Sequence, residues 1–472
     1  MNENYLNRKK IEKNRHIFRF IFAAVIILIE CFLFYSIWME FYNPNLRVSY
    51  RFRGNYFVTA IYGILLLLFG NVYGGLKIGY YKPFNLIFSL SMTSVISNIV
   101  AYIAVIIPAA TLYISPVAAV VYLSLLEIAV IAVITLIANK LFLKMFKPQR
   151  LLLLYGNRED ETEAKFLMRQ DRYNIVNKLK IDDEASEEAY IRADEFTKIC
   201  QSCNDYDGVI IGDISSELRN DILKYCYSNF IRTYTVPKLT DIILKGSETM
   251  HLFDSPIYLN RNHGLSIYQA AVKRISDIVM SLIGLILTSP ILLITAIAIK
   301  IEDRGPVFFK QKRCTKDGRE FDILKFRSMI VDAEKDGISV PATERDPRIT
   351  KVGSVIRATR IDELPQLINI LKGDMSVVGP RPERIEHVKK YSEEIPEFAY
   401  RMMVKGGLTG YAQVYGKYNT TAYDKLKLDL MYVQNYSIIL DMEIILKTIQ
   451  IVFTKESTEG FSEQASRKMG QE

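Results

Sequence analysis

Long apolar runs alternate with charged stretches along this chain, and the length of each run predicts a different element. Four runs, near Ile17 to Met39, Tyr56 to Tyr73, Phe84 to Ile107 and Val117 to Phe142, each approach the ~20 residues a helix needs to cross a bilayer. They predict four transmembrane helices. After Pro148 the runs shorten to Leu151–Tyr155, Tyr173–Ile181, Gly208–Ile211 and Ile231–Val236, separated by charged helical stretches. This is the rhythm of a βαβ domain with a parallel sheet. A fifth long run, Ile275 to Ile301, is interrupted midway by Ser289 and Pro290. Proline removes a backbone hydrogen bond and kinks a helix, and the serine could satisfy the freed carbonyl, so the run either crosses with a kink or turns back through one face. A late stretch from Ser437 to Phe453 mixes apolar residues with Asp441, Glu443 and Lys447, which suits an interfacial helix and a packed one equally.

Composition agrees with this segregation. Of 472 residues, 50% are hydrophobic and 24% charged, and the two kinds occupy different regions. The net charge of +8 gathers beside apolar runs, which favours an anionic lipid surface over nucleic acid as partner. Arg8, Lys9, Lys10, Lys13 and Arg15 precede the first run, and Lys140, Lys144, Lys147 and Arg150 close the fourth, so both ends of the four-span region are expected on the cytoplasmic side. Arg47, Arg51 and Arg53 in the first loop run against that trend. The first run is too long for the apolar core of a cleavable signal peptide and reads as an anchor. Glu30 and Glu127 fall inside apolar runs, where a charge either pairs within the helices, reaches toward an end, or serves a function. The five cysteines make no disulfide framework, and Cys200 and Cys203 read as one helix face. Gly156 ends the first short strand where a dinucleotide fold would begin G-x-G-x-x-G, but Asn157, Arg158, Glu159 and Asp160 follow, so tight dinucleotide binding is not expected.

From Gly305 onward three charged clusters stand out: Lys325–Met329, Arg357–Glu363 and Gly379–Glu383. Asp362 and Glu363 are placed to open a helix running to Leu371 and closed near Gly373, with Pro365 in its first turn. A helix N-terminus favours ionised carboxylates, which can attack phosphorus or hold Mg²⁺, although acidic residues also stabilise helix starts with no chemistry attached. Arg357, Arg360 and Arg381 are candidates for a substrate diphosphate, since guanidinium offers bidentate donors, and Pro380 and Pro382 stiffen the backbone around Arg381. Lys325 and Arg327 alternate about Phe326 and could face one side of a strand beside the same site, or simply decorate an exposed edge.

These residues resemble the bacterial sugar transferase family, the monotopic phosphoglycosyl transferases. The matching elements stand in order: Lys273-Arg274 ahead of Ser289-Pro290, Lys325 to Met329, Asp346 to Thr350, Ile361 to Gln366, Gly379 to Pro382, and Gly406 to Gly410. The resemblance covers Ala271 to about Phe453, and the upstream regions look like those of the family's large members. It implies an undecaprenyl-phosphate hexose-1-phosphate transferase, with glucose or galactose as the sugar, that initiates exopolysaccharide, capsule or O-antigen synthesis. The implied donor is a UDP-sugar, the acceptor undecaprenyl phosphate, the cofactor Mg²⁺ and the second product UMP. Asp362 is the implied nucleophile, Glu363 shares the metal with it, Arg357 and Arg381 lie near phosphate, and the hairpin over 275–301 is re-entrant. Tyr411-Ala412-Gln413 departs from the family, many of whose members carry tryptophan there, and leaves the sugar unassigned. The fold expected is therefore a four-helix transmembrane region over 1–147, a degenerate α/β Rossmann-like domain over 148–255, an α/β catalytic domain over 271–454 containing the re-entrant hairpin, and a flexible tail over 455–472. The implied site is the bacterial inner membrane with the catalytic domain in the cytoplasm; a homo-oligomer is left open. The rival reading is a membrane nucleotide-binding sensor or scaffold of an export complex, which has no use for an acidic pair among arginines.

Overall fold

The computed structural model describes residues 3–46, 49–109, 115–156, 172–181, 189–260, 264–331, 346–416 and 420–452; the expected tail and Asn157 to Asp160 lie outside them. The chain divides into two compact units, Met1–Val236 and Pro237–Glu472.

The first unit begins with helices α1 (Glu3–Ile37), α2 (Phe52–Tyr73), α3 (Pro83–Ala109) and α4 (Ser115–Met145). Each contains a segment long and apolar enough to cross a membrane. α1 packs on α2 and α4, and α3 packs on the same two. Apolar side chains cover both the inner and outer faces, so the polar residues inside are informative. Glu30 accepts from Ser94 Oγ at 2.9 Å, and Glu127 accepts from Asn98 Nδ2 at 2.6 Å with the Tyr62 hydroxyl 3.0 Å away. Both glutamates are thus hydrogen-bonded among the helices, as a buried polar group in an apolar setting must be.

The same unit continues with β1 (Gln149–Tyr155), β2 (Tyr173–Lys180), α5 (Ala189–Cys203), β3 (Gly208–Ile211), α6 (Ser216–Ser228) and β4 (Arg232–Thr235). The strands form one sheet in the order β2-β1-β3-β4, and every pairing is parallel. Leu151 to Leu154 are fully buried because β1 is covered on both faces. Leu152 and Leu154 face Ile199, Cys203, Ile222 and Cys226, while Leu151 and Leu153 face Tyr173, Ile175 and Tyr234. Cys200 and Cys203 close α5 as buried cysteines outside any disulfide, and Cys203 packs into this core. Gly156 has a packing reason of its own: a Cβ there would sit 2.1 Å from the Asp213 carbonyl oxygen.

The second unit starts earlier than the composition suggests. Residues 237–255, which the sequence reading joins to the middle domain, belong to it. The cause is non-local: α7 (Leu239–Lys245) sets Leu239 and Ile242 against Leu426, Leu430 and Phe398, far along the chain. A β5 (Glu248–Leu252) to β6 (Ser255–Leu259) hairpin follows, then α8 (Ile267–Asp303). Ser266 and Gln269 form a capping box at the start of α8. The helix is continuous through Pro290, where the sequence reading places a break between the two arms of a hairpin. Ser289 explains how the helix continues: its Oγ donates to the Ile286 carbonyl at 2.8 Å, the acceptor that Pro290, having no N–H, leaves open.

Both flanks of Pro290 pack on the same α/β body. That body contains β7 (Phe308–Cys314), β8 (Glu320–Phe326), α9 (Lys351–Ala358), α10 (Gln366–Lys372), β9 (Ser376–Val378), α11 (Ile385–Glu394), β10 (Gly407–Thr409), α12 (Tyr411–Tyr415), α13 (Ala422–Gln434) and α14 (Ile438–Val452). β7 pairs with β8 antiparallel and β9 with β10 parallel. Before the proline, Arg274 donates to the Ile370 and Leu371 carbonyls at 2.6 and 2.7 Å, Asp277 accepts from Ser376 Oγ and Val377 N, and Leu285 joins Ile323, Leu367 and Met375. After it, Leu292, Ala296 and Ile299 pack on Phe326 and Ile356, Glu302 accepts from Lys351 N at 2.7 Å, and Asp303 pairs with Arg327. The opposite face of α8 is predominantly apolar, and its Leu282, Ile286, Leu287, Leu293 and Ile294 are each at least half exposed.

Lys273 and Asp441 form a buried ion pair at 2.7 Å, and Asp441 also accepts from the Tyr432 hydroxyl at 2.8 Å. Removing one partner strands a buried charge. Lys273→Met should therefore destabilise the protein by about 3–5 kcal/mol. Lys273→Met with Asp441→Leu should recover much of that loss, as checked by chemical unfolding of the detergent-solubilised chain.

Candidate active site

The candidate site is assembled from β8, the turn before α10, and the loop after β9. Arg360 adopts a left-handed conformation at φ +57° and starts a tight 3₁₀ turn, Ile361–Glu363, that carries the acidic pair. The expected single helix is thus two pieces, a 3₁₀ turn followed by α10 with Pro365 as its N-cap. Proline is the cause: its ring fits a helix entrance but cannot accept the hydrogen-bond pattern of an interior. Gly373 closes α10 at φ +93°, as its position in the sequence suggests, and Arg274 donates to the Ile370 and Leu371 carbonyls in its last turn.

Asn369 sets the depth of the acidic turn relative to β8. Its Oδ1 accepts from Leu324 N and its Nδ2 donates to the Asp322 carbonyl, both at 2.9 Å. A strand and a helix stitched at this one side chain bring Lys325 against Glu363. Lys325 Nζ donates to Glu363 Oε1 at 2.9 Å, and Arg381 Nη2 donates to the same oxygen at 2.7 Å. Asp362 is nine-tenths buried next to them and accepts no hydrogen bond from a described residue.

Arg381 is held in turn through its backbone. Its carbonyl accepts from Arg401 Nη2 at 2.9 Å, and Arg401 is pinned by Asp429 at 2.7 Å with Glu383 3.6 Å away. Gly379 and Gly407 allow the loop to pass against β10, since a Cβ on Gly407 would lie 2.1 Å from Gly379 N. Arg401, Asp429 and Asn369 carry no motif and were not among the expected site residues. Glu383 was signalled, as the end of the Gly379–Glu383 cluster.

The two carboxylates shift in opposite directions although they are neighbours in sequence. Burial pushes both upward. For Glu363 the charges and hydrogen bonds of Arg381 and Lys325 overcome burial and hold it well below the usual carboxylate range. For Asp362 burial wins: its pKa is raised despite Lys325, Arg357 and Arg360, and the Glu363 charge adds to the rise. The helix-end argument expects both to be favoured as anions; desolvation overrides it at Asp362. Lys325 is lowered by its own burial, opposed by Glu363.

The structure thus brings Asp362, Glu363, Lys325 and Arg381 together, with Arg357 and Arg360 acting on Asp362 through their charge. Arg327 is placed elsewhere: it follows the end of β8 and is buried against Asp303 of α8, packed close to Gly305. Lys273, Arg274, Ser289 and Pro290 all lie on α8, the first two binding it to the body. Among the described residues no three His, Cys, Asp or Glu side chains gather as a metal cage. Two adjacent carboxylates do suit Mg²⁺, which commonly takes one or two and completes its shell with water and substrate phosphates.

Residues 268–455 match the model of the family described as bacterial sugar transferase. The chain is 38% identical over 263 residues to the UDP-N-acetylgalactosamine-undecaprenyl-phosphate N-acetylgalactosaminephosphotransferase of Aeromonas hydrophila, covering 53% of this chain and 59% of that protein. It is 42% identical over 191 residues to the UDP-glucose:undecaprenyl-phosphate glucose-1-phosphate transferase of Caulobacter vibrioides, covering 39% of this chain and 71% of that protein. Over 193 residues it is 41% identical to the exopolysaccharide production protein PSS of Rhizobium leguminosarum bv. phaseoli, covering 39% of this chain and 96% of that protein. Against the longer relatives the match spans about half of their length.

Proposed function

The chain belongs to the bacterial sugar transferase family, and on that premise we propose that it transfers a sugar-1-phosphate from a UDP-sugar to undecaprenyl phosphate, giving an undecaprenyl-diphosphate sugar and UMP. The observation that carries this reading is the split between the carboxylates. Glu363 is committed to Lys325 and Arg381, whereas Asp362 is buried, without a hydrogen bond from a described residue, and faced by arginine charge. The relatives' names specify UDP-glucose or UDP-N-acetylgalactosamine as donor and undecaprenyl phosphate as acceptor. We keep the donor here at a UDP-hexose or its N-acetylated form.

In the first step an Asp362 carboxylate oxygen attacks the phosphorus that bears the sugar. A carboxyl–phosphate bond forms, the bond to the bridging oxygen breaks, and that oxygen departs with UMP. In the second step an oxygen of the lipid phosphate attacks the same phosphorus, and Asp362 leaves as carboxylate. Arg357, Arg360 and Arg381 face the negative charge that gathers on the phosphoryl oxygens, and burial keeps water from competing with the lipid. Asp362 and Glu363 would hold Mg²⁺, which when bound neutralises diphosphate charge and eases departure of UMP.

The acceptor is a lipid, so the site must meet the bilayer surface. Anchoring of α8 on both sides of Pro290 to one α/β body supports a re-entrant, same-side placement, because a crossing helix could not return its far end to that body. Its apolar outer face would then rest in lipid. On this reading the first four helices form a transmembrane bundle in the bacterial inner membrane, the parallel sheet is a Rossmann-like module without a tight dinucleotide site, and the catalytic domain lies in the cytoplasm.

Asp362→Asn keeps size and removes the attacking charge; we expect activity to fall by about three orders of magnitude or more with little change in unfolding temperature. Wild-type enzyme given UDP-sugar without lipid should release about one UMP per site and retain phosphosugar on the Asp362 peptide, as mass spectrometry would show. A variant that turns over near the wild-type rate rules out the nucleophile assignment.

The rate should also fall as pH drops through a value above that of an ordinary aspartate, because the raised Asp362 must be ionised to attack. Arg357→Gln removes a charge that favours the anion, so its acid limb should move to higher pH, by roughly half a unit or more. A shift to lower pH would contradict the assignment.

Cysteines introduced at Tyr268 and Arg304 should both resist an impermeant thiol reagent applied to intact cells and both react after permeabilisation. Labelling of one but not the other from outside would mean that α8 crosses the membrane.

A further inference from the structure

Arginines converge at the end of the first unit's helices that meets the parallel sheet. Arg15 and Arg19 come from α1, Arg172 precedes β2, and Arg232 lies on β4. Arg15, Arg19 and Arg172 line a cleft whose other wall is apolar, made by Phe142, Leu143 and Phe146 near the end of α4. What holds these cations leaves their charge intact. Arg15 Nη2 donates to the Lys147 carbonyl at 3.1 Å and Arg172 Nη1 to the Gly79 carbonyl at 2.6 Å. The Arg19 and Arg172 guanidiniums lie over the ring of Tyr80, 4.3 and 3.7 Å from its centroid. Carbonyls and ring faces orient a guanidinium without neutralising it.

Among the described residues the carboxylate paired here is Glu12, and it is already shared by Arg232 and by His16 at 3.2 Å. Arg15 and Arg172 are each 8% exposed, yet the Nε donors of Arg15 and Arg19 have no partner among the described residues. Buried donors left unmade are costly, and several cations sharing one carboxylate repel each other. The field is felt at Tyr80: burial raises its hydroxyl, but the Arg172 hydrogen bond and the charges of Arg19 and Arg232 bring it below the usual value.

We propose that this cleft binds a phosphate group at the membrane surface, held by Arg15, Arg19 and Arg172. Phosphate offers several acceptor oxygens and one to two negative charges, which matches open guanidinium donors in a basic pocket. The apolar wall at the helix ends suits the glycerol and acyl portion of a phospholipid, while a soluble phosphate ester would use the arginines alone. The two sources share one recognition chemistry and are separable by experiment.

The full-length chain, purified in a neutral detergent, would be titrated separately with dioctanoyl phosphatidic acid, dioctanoyl phosphatidylcholine and inorganic phosphate. Native mass spectrometry and the melting temperature would be read for each. One equivalent of phosphatidic acid should bind in preference to phosphatidylcholine. Arg19→Gln and Arg172→Gln should weaken it about tenfold or more, since each removes charge-assisted bonds. Lys144→Gln, an exposed charge on the last turn of α4, should leave it unchanged, and Arg19→Lys should retain part of it. Saturable stabilisation by inorganic phosphate, lost in the same variants and without any preference for phosphatidic acid, would assign the cleft to a soluble phosphate. Binding of neither probe, or equal binding by a folded Arg19→Gln chain, would overturn the proposal; melting temperature distinguishes a folded variant from a collapsed one.

Discussion

Burying Glu363 is tolerable only because two cations share one of its oxygens, and much of the second unit can be read as scaffolding for that contact. Lys325 arrives from β8 and Arg381 from the loop after β9, so neither alone fixes the turn. Asn369 sets the turn's depth against β8, and the Arg401–Asp429 pair holds the Arg381 backbone. Each support is itself a buried polar group that must be satisfied, which makes the arrangement rigid. On the proposed mechanism, a rigid, charge-compensated glutamate leaves its neighbour as the group with freedom to react. Two carboxylates one residue apart are thereby given different electrostatic surroundings.

On the proposed function the same unit must also present this turn to a lipid. α8 does so by binding the body with polar groups near its N-terminus and with apolar groups, then an ion pair, toward its C-terminus. Arg274 has two parts in this, because the carbonyls it caps belong to α10, the helix that the acidic turn leads into. On that reading, position in the membrane and position of the acidic pair are mechanically joined. Ser289 keeps the helix hydrogen-bonded at Pro290, so the segment that would lie deepest in lipid exposes one less open carbonyl.

The sequence revealed what depends on local periodicity and little of what depends on distant partners. Apolar length located the long apolar helices, and short apolar runs located the four parallel strands to within a few residues. The boundary near residue 255 was not legible, since the apolar face of α7 finds its partners at Phe398, Leu426 and Leu430. Arg401 and Asp429 stand 28 residues apart in stretches without a motif, and only folding makes them a pair. Arg327 shows the converse. Alternation about Phe326 suggested a shared face with Lys325, but β8 ends at Phe326 and releases Arg327 toward Asp303. The acidic turn was legible in composition but not in geometry, because Pro365 divides what the pattern reads as one helix.

Arginine occurs in two electrostatic settings in this chain, and the contrast bears on what each can bind. Arg381 sits against a carboxylate, which raises its pKa and fixes its geometry while cancelling part of its charge. Such a residue is suited to holding a catalytic group in place and meeting a highly charged diphosphate without trapping it. Arg15 and Arg172 are anchored by carbonyl oxygens, and Arg19 by an aromatic face, none of which is itself a compensating anion. That setting favours retention over turnover. On the proposed function the chain would need both behaviours, a site that releases its product and a site that keeps the protein seated on the bilayer. The partners of each arginine, rather than their number, decide which behaviour a cluster has.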